Sequence, residues 1–564
     1  MVTNIAYRFS RFGIVAAFAF IALVGRTASP GAGAAENQPV PITHQHINSF
    51  EILFSQGSDG GSIDESQYKN PPSPICSTSS SSAANVDTDC ENTVAPHNET
   101  TIAINPLNGL NQIAGANDYQ TRPVGSSGAI QYYVTAFSRA HVTFDGGRTW
   151  TTYPIDFDGY DFTSDPAIAF DARGNAYYAT VGFVYGQGGG QTNPDVLVAQ
   201  SRDGGETWST PARVAAGIGS TAGVGVFNDK EYMTAWGDGN AIVTWTRFNQ
   251  GTRGSYISSP IYDSVTHDGG ATWSAPTEIS GSSGFCIGGQ GGNTCDQDQG
   301  SIPVVAADGS IYVTFLNGPS AFINPATQGR DQYLVVKIDP TTGSRIGGPF
   351  KVADLVDGFS DYPTNILGES TYQDSQFRTW ASGNIAADPT NAQHLAVVWS
   401  DMRNSTLPAP ASPYRAVTNS DVVISQSFDG GVTWSTPVAI ATPGDQFMSW
   451  GAYDTSGKLR VGYFDRSYDP ANHKYGYTLA TEQKAGSLKF KFAQLTTALS
   501  DPTQGDRWFS GSTPNYAADF LGDYSGIATL PSGGVAAVWT DMRNSVCFTT
   551  RCGAGENVLY STAP

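Results

Sequence analysis

The stretch TFDGGRTW at Thr143–Trp150 decides the fold because it comes back three times, as SRDGGETW at Ser201–Trp208, THDGGATW at Thr266–Trp273 and SFDGGVTW at Ser427–Trp434. Four copies of (S/T)-x-D-G-G-x-T-W describe one corner used repeatedly. The Asp carboxylate is suited to accept backbone N–H groups within the turn, and the paired Gly residues allow positive φ. The Ser or Thr hydroxyl adds a local bond, and the Trp packs the turn against its sheet. On this reading Asp145, Asp203, Asp268 and Asp429 are structural and carry no catalytic role.

Working outward from the corners, strand-like segments recur around them. A first strand reads TIAINP (from Thr101), PAIAFD (Pro166), EYMTAW (Glu231), SIPVVAAD (Ser301), GNIAAD (Gly383), SWGAYD (Ser449) and SGIATL (Ser525). A second strand follows each, as in AYYATVGF, LAVVWSDMR and VAAVWTDMR. A third leads into the corner (DVLVAQSRDGG, DVVISQSFDGG) and a fourth leaves it (STPARVAA, STPVAIAT). The period is roughly 70 residues, which implies a propeller or solenoid, and the absence of helical periodicity excludes a helical solenoid. The fold expected is all-β, a β-propeller of four-stranded antiparallel blades, seven of them with six as the alternative. The corner is degenerate in the fourth unit, near Asp339–Gly348, and in the sixth, near Glu482–Ser487. The seventh unit ends at NVLYSTAP without a fourth strand. Propellers close by borrowing a strand from the other terminus, so HINSFEILFS at His46–Ser55 is expected to complete the last blade.

Strand alternation then assigns a working face. If the corners between third and fourth strands form one rim, first strands begin and second strands end at the other. Glu99, Asp165, Asp229, Asp298, Arg378 and Asp523 stand at first-strand starts. Asp118, Arg247, Asp401, Arg403, Asp465, Arg466, Asp541 and Arg543 stand at second-strand ends, with Arg122 in the loop after the first of them. Guanidinium groups there would hold an acidic sugar through bidentate bonds, with carboxyl groups as general acid or base. The plainer reading of WSDMRNS (Trp399–Ser405), WTDMRNS (Trp539–Ser545) and YFDRS (Tyr463–Ser467) is an internal ion pair repeated from blade to blade. Glu99, Lys230 and Tyr524 are unrepeated residues at repeated positions, which marks them as site candidates.

Composition agrees with export. Arg8 and Arg11 precede an apolar run, Phe12 to Val24, and small residues lead to Ala35, so residues 1–35 read as a secretory signal, with an uncleaved anchor as the alternative. Residues 36–95 form an N-terminal lead-in and linker, and 96–564 the propeller. The 564 residues carry 64 Gly and a formal charge of −20, which disfavours nucleic acid as a partner. The partner expected is a glycan or glycoconjugate, engaged by a monomer with no membrane span after signal cleavage. Six cysteines fall in close pairs, Cys76 with Cys90, Cys286 with Cys295 and Cys547 with Cys552, consistent with local disulfides in an exported chain. No cofactor is expected. Asp296-Gln297-Asp298 and the acidic channel mouth are the candidate Ca²⁺ positions, with ordinary solvated carboxylates the simpler account.

The four corners and the blade pattern make residues 96–564 resemble the sialidase superfamily, whose corner is the Asp box. The resemblance implies a propeller with its site opposite the boxes, and six blades in the sialidases themselves. It further implies an arginine triad for a substrate carboxylate, a Tyr nucleophile helped by a Glu, and an Asp acid/base. The family's early Arg-Ile-Pro is absent; Thr121-Arg122-Pro123 is the nearest match. On this resemblance Asp165 is the acid/base, Tyr524 the nucleophile and Arg122, Arg403 and Arg543 the triad; from their places on the rim, Glu99 is a further catalytic candidate and Arg247 and Asp523 further substrate-binding candidates. The function expected is a secreted, exo-acting, sialidase-like glycoside hydrolase. The alternatives are a non-catalytic glycan- or protein-binding propeller and a propeller polysaccharide lyase.

Overall fold

The computed structural model describes residues 53–54, 85–89, 96–124, 131–136, 138–157, 159–160, 162–184, 193–219, 224–286, 294–318, 330–357, 361–365, 369–405, 417–440, 442–504, 520–548 and 551–564, with side chains left aside at 53–54, 120–124, 131–136, 253, 504, 545–548 and 551–553. The expected signal segment and most of the lead-in lie outside the described residues, and so do Cys76 and Cys90.

Seven antiparallel sheets follow one another along the chain. Blade 2 shows the plan: Phe162–Phe170, Ala176–Phe183, Asp195–Ser201 and Ala212–Ala215, paired in that order from first strand to fourth. The first strands of successive blades touch around the whole circle, including His97–Ile104 of blade 1 against Gly526–Thr529 of blade 7. They therefore line the axis, and the fourth strands form the rim. The fourth and sixth blades are complete without a DGG corner. Asp339–Ser344 and Gln483–Lys489 make the same connection through their own backbone bonds. The only helices among the described residues are two three-residue 3₁₀ turns.

Second strands are buried on both faces, so they read as continuous apolar runs rather than alternating ones: AYYATVGF and LAVVWSD are buried throughout. Each packs against the neighbouring blades. Trp245, Trp399 and Trp539 stand fully buried on the second strands of blades 3, 5 and 7.

The four DGG corners share one geometry. In the first, Asp145 Oδ1 accepts from Arg148 N and Thr149 N, both at 2.9 Å, and Asp145 Oδ2 accepts from the Thr149 hydroxyl at 2.7 Å. Thr143 Oγ1 receives Gly147 N at 2.9 Å. The corner also joins blades. A Cβ on Gly147 (φ +87°) would sit 2.0 Å from Cε1 of Tyr560 in blade 7, and the Tyr560 hydroxyl donates to Gly146 O at 3.1 Å. Glycine is required there by a close approach as well as by φ. The corners lie at the end where first strands turn into second ones, as in Gly146 N to Leu110 O and Gly269 N to Gly239 O.

Ring closure differs from expectation. The fourth strand of blade 7 is Val86–Asp87, paired with Tyr560 and Leu559, whereas Leu53–Phe54, within His46–Ser55, pairs with Val134 and Tyr133 of a hairpin extending from blade 1. The physical reason is in the side chains: Val86 packs into the apolar layer between blades 7 and 1, and Asp87 Oδ2 accepts from Asn557 Nδ2 at 3.0 Å.

Candidate active site at the channel mouth

Opposite the corners, the first strands do not run straight. In five blades the strand is bulged near its start, and the bulge places a residue in the left-handed region: Glu99 (φ +55°), Asp165 (+58°), Lys230 (+51°), Gly300 (+65°) and Met448 (+48°). Four of the five carry side chains, at roughly 1–2 kcal/mol each. Bulges re-aim side chains, and backbone strain concentrates at functional rims. Blade 7 reaches the rim through GDYSG. Gly522 (φ +85°) lies so close to Glu99 that a Cβ would fall 2.5 Å from Glu99 Cγ. Blade 5 sends Arg378 and Trp380 from the connection before Gly383. That connection is anchored by buried Tyr372 and Phe377, which flank the fully buried Arg466 guanidinium at 5.6 and 5.8 Å.

The side chains brought together form one polar network. Arg378 grips Asp523 with two bonds, Nε to Oδ1 at 2.9 Å and Nη2 to Oδ2 at 2.5 Å, and Lys230 Nζ donates to the same Oδ2. Glu99 Oε1 accepts from Asp523 N at 3.2 Å, and Glu99 Oε2 from Asn117 Nδ2 at 2.7 Å. Asn117 Oδ1 in turn accepts from Asp165 N at 2.8 Å, and Ser164 Oγ donates to Asp165 Oδ1 at 2.6 Å. Both oxygens of Glu231 and the Tyr524 hydroxyl are buried without a hydrogen-bond partner, and a side-chain hydrogen bond with Asp165 helps to raise Glu99. A small cavity beneath is lined by Lys230, Glu231, Tyr232, Trp380, Trp450 and Tyr524, among others. Its aromatic walls touch, with Tyr232 5.0 Å from Trp450 and 6.3 Å from Tyr524, and Lys230 lies 5.1 Å above the Trp380 ring.

These surroundings separate the carboxyl groups by protonation. Burial alone would raise Asp523, but Arg378 and Lys230 overcome it and hold that carboxyl well below the usual range. Burial, reinforced by the charges of Asp165 and Asp523, pushes Glu99 well above it. Burial also lifts Glu231, and lifts Asp229 to about 8 against the pull of Lys230. Burial, with Glu99 and Asp165 nearby, keeps the Tyr524 hydroxyl protonated. An ionised carboxylate beside protonated ones is the arrangement by which one site runs acid and base chemistry at a single pH.

The structure thus brings together Glu99, Asp165, Tyr524 and Asp523 from the sequence expectation, drawn from blades 1, 2 and 7. Of the expected substrate arginines, Arg247, Arg403 and Arg543 are engaged elsewhere. Arg403 closes on its own strand, with Nη2 to Asp401 Oδ2 at 2.6 Å while Trp399 Nε1 donates to that oxygen at 2.8 Å; Arg403 Nη2 also donates to Asp354 O of blade 4 at 3.0 Å. Arg543 repeats the device with Asp541, and adds Thr497 Oγ1 at 2.6 Å and Asn85 Oδ1 at 3.0 Å. The Asp-x-Arg repeat is a tie within and between blades. Arg247 stacks on Tyr262 at 4.7 Å within blade 3. Arg122 lies on the extended second strand of blade 1 opposite Tyr133, and its side chain is outside the description. Among the described residues the cations of the mouth are Lys230 and Arg378. Sequence signals for both existed: Lys230 is unrepeated at its blade position, and Arg378 sits in the longest inter-blade spacing. Glu231 and Trp380 had no comparable signal.

Among the described residues no group of three or more His, Cys, Asp or Glu is arranged to hold a metal ion. Asp298 is buried and accepts from Asn317 Nδ2 at 2.7 Å. Of the three expected cysteine pairs, Cys286 and Cys295 form a disulfide, with Cα atoms 5.1 Å apart. The backbones of Cys547 and Cys552 face each other across the blade 7 hairpin. The bridge expected between Cys76 and Cys90 falls outside the described residues: Cys90 directly follows Asp89, where the described segment 85–89 stops. No helix among the described residues is long and apolar enough to cross a membrane.

The sequence matches no protein-family profile, and no curated protein matches it. Solved structures do resemble the fold. One is a Dyadobacter fermentans protein of unknown function, 12% identical, covering 85% of this chain and 97% of its own with a TM-score of 0.43. Another is the NanB sialidase of Streptococcus pneumoniae, 9% identical, covering 80% of this chain and 83% of its own with a TM-score of 0.42. A third is an ulvan-cleaving polysaccharide lyase, 12% identical, covering 71% and 80% with a TM-score of 0.40.

Proposed function

We propose that this chain is an extracellular glycoside hydrolase, sialidase-like in its Asp-box corners, that works on a terminal sugar at the channel mouth. The observation that supports it is the meeting of Glu99, Asp165 and Tyr524 beside Asp523, whose backbone N–H donates to Glu99 while the Glu99 and Asp523 carboxyl groups are pushed in opposite directions, Glu99 up and Asp523 down. In this reading Tyr524 is the nucleophile. Its hydroxyl has no partner and lies among the carboxyl groups of Glu99, Asp165 and Glu231. Glu231, in the fraction of molecules in which it has lost its own proton, takes the phenolic proton as the C–O bond to the anomeric carbon forms and the bond from that carbon to the leaving oxygen breaks; because burial raises Glu231, that fraction grows as pH rises. Asp165, hydrogen-bonded to Glu99, protonates the leaving oxygen and later activates water. The signal segment and the Cys286–Cys295 disulfide support an extracellular setting.

The test is release of 4-nitrophenol from a panel of aryl glycosides at high enzyme. Wild type is expected to release it, with Tyr524→Phe and Asp165→Asn each down at least 100-fold in kcat. No release across acidic and neutral glycosides, or full activity in both variants, would refute the proposal. A second reading, a non-catalytic glycan-binding propeller, is favoured by Arg403 and Arg543 being engaged within the blades. It predicts binding without release.

A further inference from the structure

Among the described residues the mouth has two cations, and both already hold a carboxylate. Asp523 accepts three bonds from Lys230 and Arg378 and is 1% exposed in its side chain, against 10% for Lys230 and 16% for Arg378. Bidentate engagement of a guanidinium by a carboxylate is what an acidic sugar would have to provide itself. Here the protein provides it, from blade 7. The other ionisable groups around the pair, Glu99, Asp165, Asp229, Glu231 and Glu369, are all acids. Among the described residues a ligand carboxylate would meet no open cation and several carboxyl groups.

The cavity also carries polar atoms that need hydrogen-bond partners. Glu231 lines it with both oxygens buried and unpartnered, and the Tyr524 hydroxyl and Trp380 Nε1 are likewise unpartnered. Buried polar atoms without partners are costly; these have no surface open to water in the ligand-free chain, so a ligand that moves the cavity wall enough to bond them gains affinity. Carboxyl oxygens call for O–H donors, and the faces of Trp380, Trp450 and Tyr232 call for flat apolar C–H surface. A sugar ring carrying hydroxyls and no acid group supplies both.

From these contacts we infer that the mouth selects an uncharged, hydroxyl-bearing sugar and rejects its acidic counterparts, because Asp523 occupies the place a substrate carboxylate would take. The inference rests on the reading of this mouth as the substrate site, and its test is separate from the test of hydrolysis. Binding of matched methyl glycoside and methyl glycosiduronate pairs (glucose, galactose and their uronic acids), of methyl α-sialoside and of methyl glucosaminide is followed by quenching of Trp fluorescence. At least one neutral ligand is expected to bind tenfold or more tighter than its uronate. Glu231→Gln is expected to weaken the neutral ligand and leave the uronate unchanged. In Asp523→Asn, folded as judged by circular dichroism, the uronate gains at least tenfold. Should that variant not fold, the wild-type pairs and Glu231→Gln decide alone. Equal or tighter binding of an acidic ligand, a preference for the amino sugar over every neutral one, or no binding at all overturns the inference. Neutral-ligand binding without nitrophenol release removes the hydrolase proposal and leaves the selectivity standing.

Discussion

Replacing Asp523 by Asn takes one negative charge from between two buried cations. Three hydrogen bonds end on that carboxylate. Breaking a buried ion pair by removing one partner costs about 3–5 kcal/mol, because the remaining charge stays desolvated. Here the loss has a pH dependence that follows from the neighbours. Asp523 is held well below the ordinary range, so its own stabilisation is complete above about pH 4 and changes little between pH 5 and 8. Asp229 is raised to about 8 and holds its proton through much of that interval, and burial with the charges of Asp165 and Asp523 raises Glu99 as well. In the variant the repulsion from Asp523 is gone and Lys230 and Arg378 lack a partner, so one of these carboxyls ionises at the upper end and takes over the role. The expected destabilisation is about 3–5 kcal/mol at pH 5, falling to about 1–3 kcal/mol at pH 8 as a charged hydrogen bond is recovered. Urea unfolding followed by Trp fluorescence at the two pH values, with unchanged m, measures it. Equal losses at both pH values, or a loss below about 1 kcal/mol at pH 5, would refute the account of shared protonation.

Gly147→Ala puts a Cβ into Tyr560 at a positive φ, and a loss of about 2–4 kcal/mol in urea is expected from overpacking and backbone strain together; a loss under about 0.5 kcal/mol would mean the corner does not lock blade 1 to blade 7. Arg403→Ala leaves Asp401 buried beside Trp399 and is expected to cost about 3 kcal/mol in stability while sugar binding and turnover at permissive temperature stay within twofold of wild type. A large fall in kcat with unchanged stability would instead return Arg403 to the substrate.

Local rules make the architecture legible. Corner chemistry is written in adjacent residues, so TFDGGRTW predicts a turn wherever it occurs, and the apolar second strands announce burial on both faces. The repeat also carries the correct placement of Glu99, Asp165, Asp523 and Tyr524 on one rim, because strand alternation converts chain position into position on the ring. What the sequence does not encode locally is which distant charge meets which. WSDMRNS reads equally well as a tie and as a ligand until Trp399 is seen donating to Asp401. Arg378, read from sequence as a first-strand start, lies in the connection before the blade 5 strand, and it reaches Asp523 from there because Tyr372, Phe377 and Arg466 fix that connection. The closing strand is misread from sequence for a similar reason. Val86–Asp87 is two residues long, too short for periodicity, and is chosen by a pocket built from Tyr560, Val558 and blade 1.

Because blade 7 takes its outer strand from residues 86–87 and its third from Arg551–Ala563, a growing chain cannot finish the ring until residues 551–563 have left the ribosome. Six blades can assemble beforehand, but blade 1 and blade 6 then each face solvent with an apolar flank meant for a neighbour. Such an incomplete arc is open to pairing with another arc. Residues 551–563 thus act as the commitment step that turns an adhesive intermediate into a self-contained circle.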